Sequence, residues 1–334
     1  MINTLVFVSI FCVVAVLVYM GRYSGRIRVE QTRLIDAPLN RVYAQVADLG
    51  QWQAWIPWLE HEPEALLALS APADAAGSSC SWSGAKAGEG RIVHKRLVAM
   101  ERIEQNVRLK HPFTVAGRAV WTFTDRGGKT EVTWSLRARV AFSMRAFAAT
   151  VNGALAFDLR YGLDRLARTL EPDSAPRYAV HYLGVREVDA CRYVYRTYSG
   201  PINGLPEATR NAFAELKQQL DASAIAPAGR ALALYVKTNI KLRTTVCHLG
   251  VPVGDVDVGA LPVRELSKHR AFVVRLVGGY GALELAWYLA MQRMTLEAIR
   301  PDQRLAPFES YLVSSDTSAE SGYVTELYIP VVTN

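Results

Sequence analysis

Two stretches in the C-terminal half of the chain share one layout and decide its expected fold. Residues Tyr193–Leu220 read YVYRTYSGPINGLPEATRNAFAELKQQL, and residues Phe272–Ile299 read FVVRLVGGYGALELAWYLAMQRMTLEAI. When the two are aligned, Ser199-Gly200 falls on Gly278-Gly279, 79 positions later. The phrase GVPV that ends the first copy falls on YIPV in the second at almost the same offset. The chain therefore contains a duplicated unit.

Each copy reads as a strand, a glycine turn, a helix and two further strands. Pro206 opens the helix of the first copy, and apolar residues follow it at helical spacing. The matching segment 281–299 is mostly apolar, which predicts a more deeply buried helix. A duplicated βαββ unit predicts a pseudo-two-fold domain whose cleft lies between the copies. We expect the protein to work in that cleft.

Length and charge limit the remaining possibilities. The chain has 334 residues, 50% of them hydrophobic, which predicts two globular domains and rules out a disordered protein. Its formal net charge is +7, but basic and acidic residues are interspersed between positions 91 and 168. This pattern indicates a solvated basic surface, or one near anionic lipid, and no helix-turn-helix or zinc-finger spacing accompanies it. We expect no nucleic-acid partner.

Residues 1–21 are predicted to form a transmembrane anchor. The stretch Ile2–Met20 carries no charge and is long enough to cross a hydrocarbon core as a helix. A cleaved signal peptide would need a basic start and a small-x-small cleavage site, which the sequence lacks. Arg22, Arg26 and Arg28 follow at once, so the positive-inside tendency places the body in the cytoplasm. We expect a single-pass inner-membrane protein with the lipid bilayer as a partner.

Cysteine and histidine spacing points to no bound metal. The four cysteines include no CxxC pair, which fits reduced thiols better than a disulfide framework. The six histidines show no HxH or HxxxH spacing. The glycine-rich stretch 84–90 matches neither a Walker nor a dinucleotide pattern. We expect neither a metal site nor a cofactor.

The first soluble domain is predicted over residues 28–172. A strand and a short helix precede several strand-like segments, of which AVWTFT and TEVTWSL form the clearest hairpin around Asp125–Gly128. Leucines then recur every three or four residues up to Leu170, which predicts a long amphipathic helix. The phrases VADLGQWQAWIPW, GGKTEVTW and FDLRYGLDRLARTLE resemble the polyketide cyclase/dehydrase members of the START-like, or SRPBCC, superfamily.

That resemblance implies a helix-grip fold: a curved antiparallel sheet around the long helix, with an apolar cavity between them. It implies no particular reaction, because fold alone does not fix function. Six tryptophans are candidates to line the cavity, and the alternative interpretation is that they pack the core: Trp52, Trp55, Trp58, Trp82, Trp121 and Trp134.

The second soluble domain is predicted over residues 178–334, after a proline-containing linker at 171–177. Its phrases GGYGALELAWYLAM, APFESYL and TELYIPV resemble the GyrI-like effector-binding domain, which also occurs at the C-terminus of some AraC-type and multidrug-sensing activators. The expected fold class is therefore α+β: a helix-grip domain followed by a duplicated βαββ domain, behind one transmembrane helix.

Glu309 is the main candidate site residue. It shares a strand face with Tyr311. When the two copies are aligned, Ala233 occupies the place of Glu309, and Tyr235 occupies the place of Tyr311. Because the other copy lacks the carboxylate, the fold does not require it. In the resembled family a glutamate of this phrase lies at the base of the cleft between aromatic walls and contacts cationic effectors; Tyr311, Tyr280 and Trp287 are the nearest aromatic candidates.

An ion pair of Glu309 with Arg275 or Arg293 is the structural alternative.

The sequence thus favours a membrane-anchored protein that binds a hydrophobic or cationic small molecule and has no DNA-binding domain. The alternative function is a hydrolase of electrophilic small molecules, in which Glu309 acts as base and Tyr311 as orienting donor. Neither the ligand nor a protein partner is identified by the sequence.

Overall fold

The computed structural model describes residues 21–22, 24–60, 62, 64–85, 87–110, 114–171, 178–239, 242–314 and 319–332. The chain divides into two compact units, residues 1–175 and 176–334. Both units combine helices with one antiparallel sheet, so the predicted α+β class is confirmed. Within the described residues, none of the helices is long and apolar enough to span a membrane. The predicted anchor lies outside these residues except for Gly21.

The first unit is a seven-stranded antiparallel sheet that packs on a long helix. The strands lie in the order β1-β7-β6-β5-β4-β3-β2. Their bounds are β1 (Arg26–Ile35), β2 (Leu66–Leu69), β3 (Ser79–Gly84), β4 (Gly88–Val98), β5 (Arg102–Leu109), β6 (Val115–Asp125) and β7 (Thr130–Val140). The helices are α1 (Leu39–Ala47), α2 (Pro57–Glu60) and α3 (Ala148–Leu170).

Helix α3 forms because its apolar residues recur on one face, and that face is buried against the sheet. Leu155, Leu159, Leu163 and Leu166 all belong to the buried core of this unit. Burial alternates along the strands: in β1, Ile27 and Val29 are buried and the residue between them is exposed. This alternation gives the sheet an inner face toward α3 and an outer face toward solvent.

Tryptophan side chains fill much of the space between the sheet and α3. Five of the six candidate tryptophans are buried and Trp58 is partly buried. Trp121 and Trp134 stack with ring centroids 4.2 Å apart, and Trp58 stacks on Trp82 at 5.4 Å. Gly90 makes room for this packing, since a Cβ there would lie 2.1 Å from the Trp82 ring. The alternative interpretation, core packing, therefore describes these rings.

A chain of buried polar groups crosses this aromatic core. Trp121 Nε1 donates to Gln105 Oε1 at 3.0 Å, and Gln105 Nε2 lies 3.3 Å from His94 Nδ1. His94 Nε2 lies 2.8 Å from the Ala47 carbonyl oxygen. The histidine is therefore a neutral imidazole that donates from Nε2 and accepts at Nδ1. Burial lowers its pKa, while the bond to Ala47 and the charge of Asp74 act in the opposite direction.

The second unit is an eight-stranded antiparallel sheet in the order β12-β9-β11-β10-β14-β15-β13-β8. The first copy of the duplicated unit comprises β9 (Cys191–Pro201), α4 (Leu205–Ala222), β10 (Leu232–Asn239) and β11 (Thr244–Val253). The second copy comprises β13 (His269–Gly278), α5 (Leu283–Leu296), β14 (Phe308–Val313) and β15 (Val324–Pro330). An additional strand precedes each copy: β8 (Tyr178–Val188) and β12 (Val263–Leu266).

Each additional strand pairs with the other copy, and this forces the sheet to curve. Only two residues join β8 to β9, so Val188 and Cys191 lie at most about 11 Å apart. In a flat sheet the six strand spacings between them would amount to about 29 Å. The two ends of the sheet therefore approach each other. Val188, Tyr193, Leu266 and Ala271, from strands at both ends, accordingly share one buried cluster.

We expect the first unit to lose stability as the pH falls below about 6.5, the ordinary pKa of histidine in an unfolded chain. Because burial lowers the pKa of His94 in the folded unit, the unfolded chain binds more protons there. The stability gained by keeping His94 neutral is present above that pH and is lost as the pH falls toward the folded-state pKa.

Denaturant unfolding followed by tryptophan fluorescence measures this effect, because six of the seven tryptophans lie in the first unit. His94→Gln removes the titrating ring, so its unfolding free energy should depend less steeply on pH over the same range. An identical slope in both proteins would contradict the assignment.

Candidate functional site

The central strand pair of the second unit places the predicted glutamate between the two copies. Strands β10 and β14 pair antiparallel, with Ala233 directly opposite Glu309. This pair joins the copies, since β10 belongs to the first and β14 to the second. Because side chains alternate along a strand, Glu309 and Tyr311 project to the helix side, while Phe308 faces the cluster on the opposite side of the sheet.

The Glu309 carboxylate is buried and accepts three hydrogen bonds from neutral donors. The residue is 1% exposed. Its Oε1 accepts from Tyr235 Oη at 2.8 Å and from Trp287 Nε1 at 2.6 Å. Its Oε2 accepts from Tyr311 Oη at 2.7 Å. A carboxylate can accept about four hydrogen bonds, so one acceptor position remains on Oε2.

The structural alternative, an ion pair with a neighbouring arginine, is wrong. Arg275 binds Glu326, with Nη2 2.6 Å from Oε1, and Arg293 binds Glu297 with Nε 2.5 Å from Oε1. Among the described residues no cationic side chain forms a salt bridge with Glu309. Its negative charge is therefore compensated only by the three neutral donors.

Aromatic rings surround this carboxylate on several sides. The Tyr311 ring meets Phe213 edge-on at a centroid distance of 5.6 Å and Tyr280 at 5.7 Å. Tyr235 and Trp287 also meet edge-on, at 5.7 Å. Helix α4 supplies Phe213 and helix α5 supplies Trp287. Tyr235 and Tyr311 come from strands β10 and β14, and Tyr280 comes from the turn before α5. We call Glu309 and these five rings the glutamate cluster.

Sequence reasoning found part of this cluster. The structure brings Tyr311 and Trp287 into hydrogen-bond contact with Glu309, and Tyr280 against the Tyr311 ring. Their role in ligand binding stays a prediction. Tyr235 and Phe213 were not among the predicted site residues. Tyr235 carried a usable signal, because it occupies in the first copy the place of Tyr311 in the second.

Burial controls the acid–base properties of the cluster. It raises the pKa of Glu309, and the hydrogen bonds from Trp287, Tyr311 and Tyr235 lower it by less. Burial also raises the pKa values of Tyr235 and Tyr311, and the charge of Glu309 raises both further. The two phenols therefore stay protonated and act as donors. Within the described residues, no group of three or more His, Cys, Asp or Glu side chains is arranged to hold a metal ion.

We expect Trp287→Phe to destabilise the second unit by about 1.5–3 kcal/mol, because it removes a hydrogen bond to a charged group. Tyr198→Phe is a matched control, since the Tyr198 hydroxyl donates to the Pro201 carbonyl at an exposed position and its loss costs little. Chemical unfolding of each variant, with and without Glu309→Gln, forms a double-mutant cycle. Strict additivity of Trp287→Phe and Glu309→Gln would show that the indole does not act through the carboxylate.

Comparisons with solved structures give several similar folds. The C-terminal domain of EcmrR shares 16% identity, with a TM-score of 0.39 over 47% of this chain and 99% of that one. Protein CV1439 from Chromobacterium violaceum shares 16% identity, with a TM-score of 0.35 over 44% and 98% of the two chains. SAV2435, solved with tetraphenylphosphonium bound, shares 14% identity, with a TM-score of 0.37 over 46% and 94%.

Sequence comparison gives one family. A search of curated proteins finds no match. Residues 26–171 match the family model described as polyketide cyclase / dehydrase and lipid transport. This range runs from the first residue of β1 to the residue after α3. The first unit is therefore similar, over its whole sheet and its long helix, to the polyketide cyclase / dehydrase and lipid-transport family.

Proposed function

We propose that the second unit binds an aromatic organic cation, with Glu309 as its counter-charge and the rings of the glutamate cluster as its walls. One observation carries this proposal: Glu309 is 1% exposed and its three hydrogen-bond partners are all neutral.

A buried carboxylate without a cation is costly to the folded state. Moving a carboxylate out of water costs several kcal/mol in real proteins, and hydrogen bonds recover only part of that. The pseudo-symmetric position, Ala233, shows that the sheet folds with a small neutral residue in the same place. The charge at position 309 therefore has no structural necessity, and a cationic ligand would supply the compensation that the chain does not.

The surrounding rings fit the same class of ligand. A cation above the face of a tryptophan or tyrosine gains about 0.5–2 kcal/mol, more when water is excluded. Flat aromatic ligands would also stack with these rings, and the remaining acceptor position on Glu309 Oε2 suits one ligand N–H or O–H donor.

The first unit is a less favourable site for an apolar ligand. The description of its family includes lipid transport. Yet Trp55, Trp121 and Trp134 are buried against one another in its interior, so a ligand there would have to displace packed rings. We therefore place the small-molecule site in the second unit.

Calorimetric titration with 10-methylacridinium and with neutral acridine tests the charge dependence. Glu309→Gln keeps the shape and removes the charge, so it should cost about 1.5–3 kcal/mol of binding for the cation, on the order of tenfold to a hundredfold in affinity. Acridine, at a pH where it is uncharged, should respond little. Glu284→Gln, an exposed carboxylate at the start of α5, is the matched control and should leave both affinities unchanged.

The pH dependence has a defined sign. Because burial raises the pKa of Glu309 and a cation binds the ionised form, affinity for the cation should rise as the pH rises through that pKa. Retained cation binding in Glu309→Gln together with a sharp loss of melting temperature would overturn the proposal and indicate a structural role.

The Glu309–Tyr311 pair favours one second function, a hydrolase of electrophilic small molecules. A carboxylate whose pKa is raised by burial is a better general base at neutral pH, and Tyr311 Oη lies 2.7 Å from its Oε2. Turnover of an epoxide or another strained electrophile, lost in both Glu309→Gln and Tyr311→Phe, would establish this function. Saturable binding without turnover supports the binding function.

We further propose that residues 1–21 anchor the chain in the inner membrane with both units in the cytoplasm. The uncharged stretch before Arg22, Arg26 and Arg28 supports this. Alkaline phosphatase fused to the C-terminus should be inactive in a bacterial host, because that reporter needs an oxidising compartment. High activity would reverse the orientation.

A further inference from the structure

Seven exposed arginines cover one end of the outer face of the first sheet. They lie on five adjacent strands and alternate with buried residues, so they all project away from α3. We call this set the arginine face: Arg26, Arg28, Arg91, Arg108, Arg118, Arg137 and Arg139.

Strand register places these side chains in two neighbouring rows. One row runs across the sheet through Arg26, Arg139, Ala116, Arg108 and Arg91. The next row, two residues along each strand, runs through Arg28, Arg137, Arg118, Asn106 and Val93. Arginines are therefore directly opposite each other in several cross-strand pairs, and neither row contains an acidic residue.

No member of the arginine face forms an ion pair within the described part of the chain. Among the described residues, the one side-chain hydrogen bond of this set runs from Arg91 Nη2 to Ser79 Oγ, at 3.4 Å. The nearest carboxylates along the strands are Glu30 on β1 and Glu89 on β4, and Glu89 is paired with Lys110. The positive charge of this face is therefore left to solvent or to a partner.

Such an arrangement opposes folding. Like charges directly opposite each other on paired strands are destabilising, and exposed strand positions accept many uncharged residues. Other outer-face positions of the same strands carry uncharged residues: Thr32 and Thr133 are directly paired, and their hydroxyl oxygens lie 2.8 Å apart. The clustering at one end therefore indicates a surface that meets a partner with many negative groups.

We propose that the arginine face docks on anionic lipid headgroups at a bilayer surface. Guanidinium groups bind phosphate oxygens in a bidentate fashion, and a sheet face presents them side by side toward one plane. Strand β1 begins at Arg26, six residues after Met20, the last residue of the uncharged apolar stretch. Six residues span at most about 20 Å, so a bilayer that holds the apolar stretch has its headgroups within reach of this face.

This position favours lipid over nucleic acid as the partner. Polybasic segments next to a membrane-inserted stretch gain about fivefold in surface affinity per arginine, from about 1 kcal/mol each. The arginine face presents no helix or two-stranded ribbon, the elements that enter a major groove, since it lies on five adjacent strands of a seven-stranded sheet.

Energy transfer from tryptophan to dansyl-labelled lipid tests the docking with the full-length chain. The protein is mixed with vesicles of phosphatidylcholine alone or with an equal part of phosphatidylglycerol. The apolar stretch contributes equally to the binding of both kinds of vesicle, because its contribution depends on hydrophobic burial. We expect stronger transfer with the anionic vesicles and its loss at high salt, since the Debye length falls from about 10 Å at 0.1 M to about 3 Å at 1 M.

The triple variant Arg118→Gln, Arg137→Gln and Arg139→Gln should reduce the docking equilibrium constant on the order of 100-fold, with an unchanged or raised melting temperature. The triple variant Arg210→Gln, Arg230→Gln and Arg300→Gln makes the same change in net charge at exposed positions of the second unit and should retain transfer.

Three outcomes would overturn the proposal: equal transfer with neutral and anionic vesicles, an equal loss in both triple variants, or no loss in the first. A mobility-shift assay with duplex DNA tests the alternative partner, nucleic acid. A shift that the first triple variant abolishes, with lipid transfer intact, would assign the face to nucleic acid instead.

Discussion

The pairing of β10 with β14 is the contact on which the second unit depends. Each copy of the duplicated unit provides one strand, and three residue pairs join them across the pseudo-two-fold axis. Without this pairing the two halves would expose unpaired strand edges and separate apolar faces. The same pairing sets Glu309 against Ala233, where the small side chain leaves space for the carboxylate and the phenol of Tyr235 to meet. Fold and site therefore share one interaction.

The two copies share their order of elements but differ at the site. Both retain the strand–helix–strand–strand order, and each donates an additional strand to the far edge of the other. At the central pair one copy has alanine and the other has glutamate, so a single carboxylate lies between the two copies. A symmetric pair of buried carboxylates would repel each other at this distance, whereas one carboxylate leaves the opposite half free for aromatic walls.

The first unit uses its residues differently. Its interior is packed with indoles and is crossed by a hydrogen-bonded chain of His94, Gln105 and Trp121. Its unusual feature lies outside, in the arginine face, whose members form no ion pair within the part of the chain that the structure describes. The resemblance to the polyketide cyclase / dehydrase family, recognised from its motifs, is confirmed over residues 26–171, but the family fold does not account for that surface.

Sequence alone predicted the order of the elements within each copy of the duplicated unit and the faces of its strands, but not the additional strands β8 and β12. Hydrophobic period distinguishes helices from strands, and alternation fixes which residues share a face, so Glu309 and Tyr311 were predicted on one side. Only the tertiary structure decided which donors reach the carboxylate and that Arg275 and Arg293 do not. The arginine rows also needed strand register, because Arg26 and Arg139 are 113 positions apart in the chain yet directly opposite in the sheet. Contacts between distant segments depend on how strands pair, and local sequence pattern does not encode that pairing.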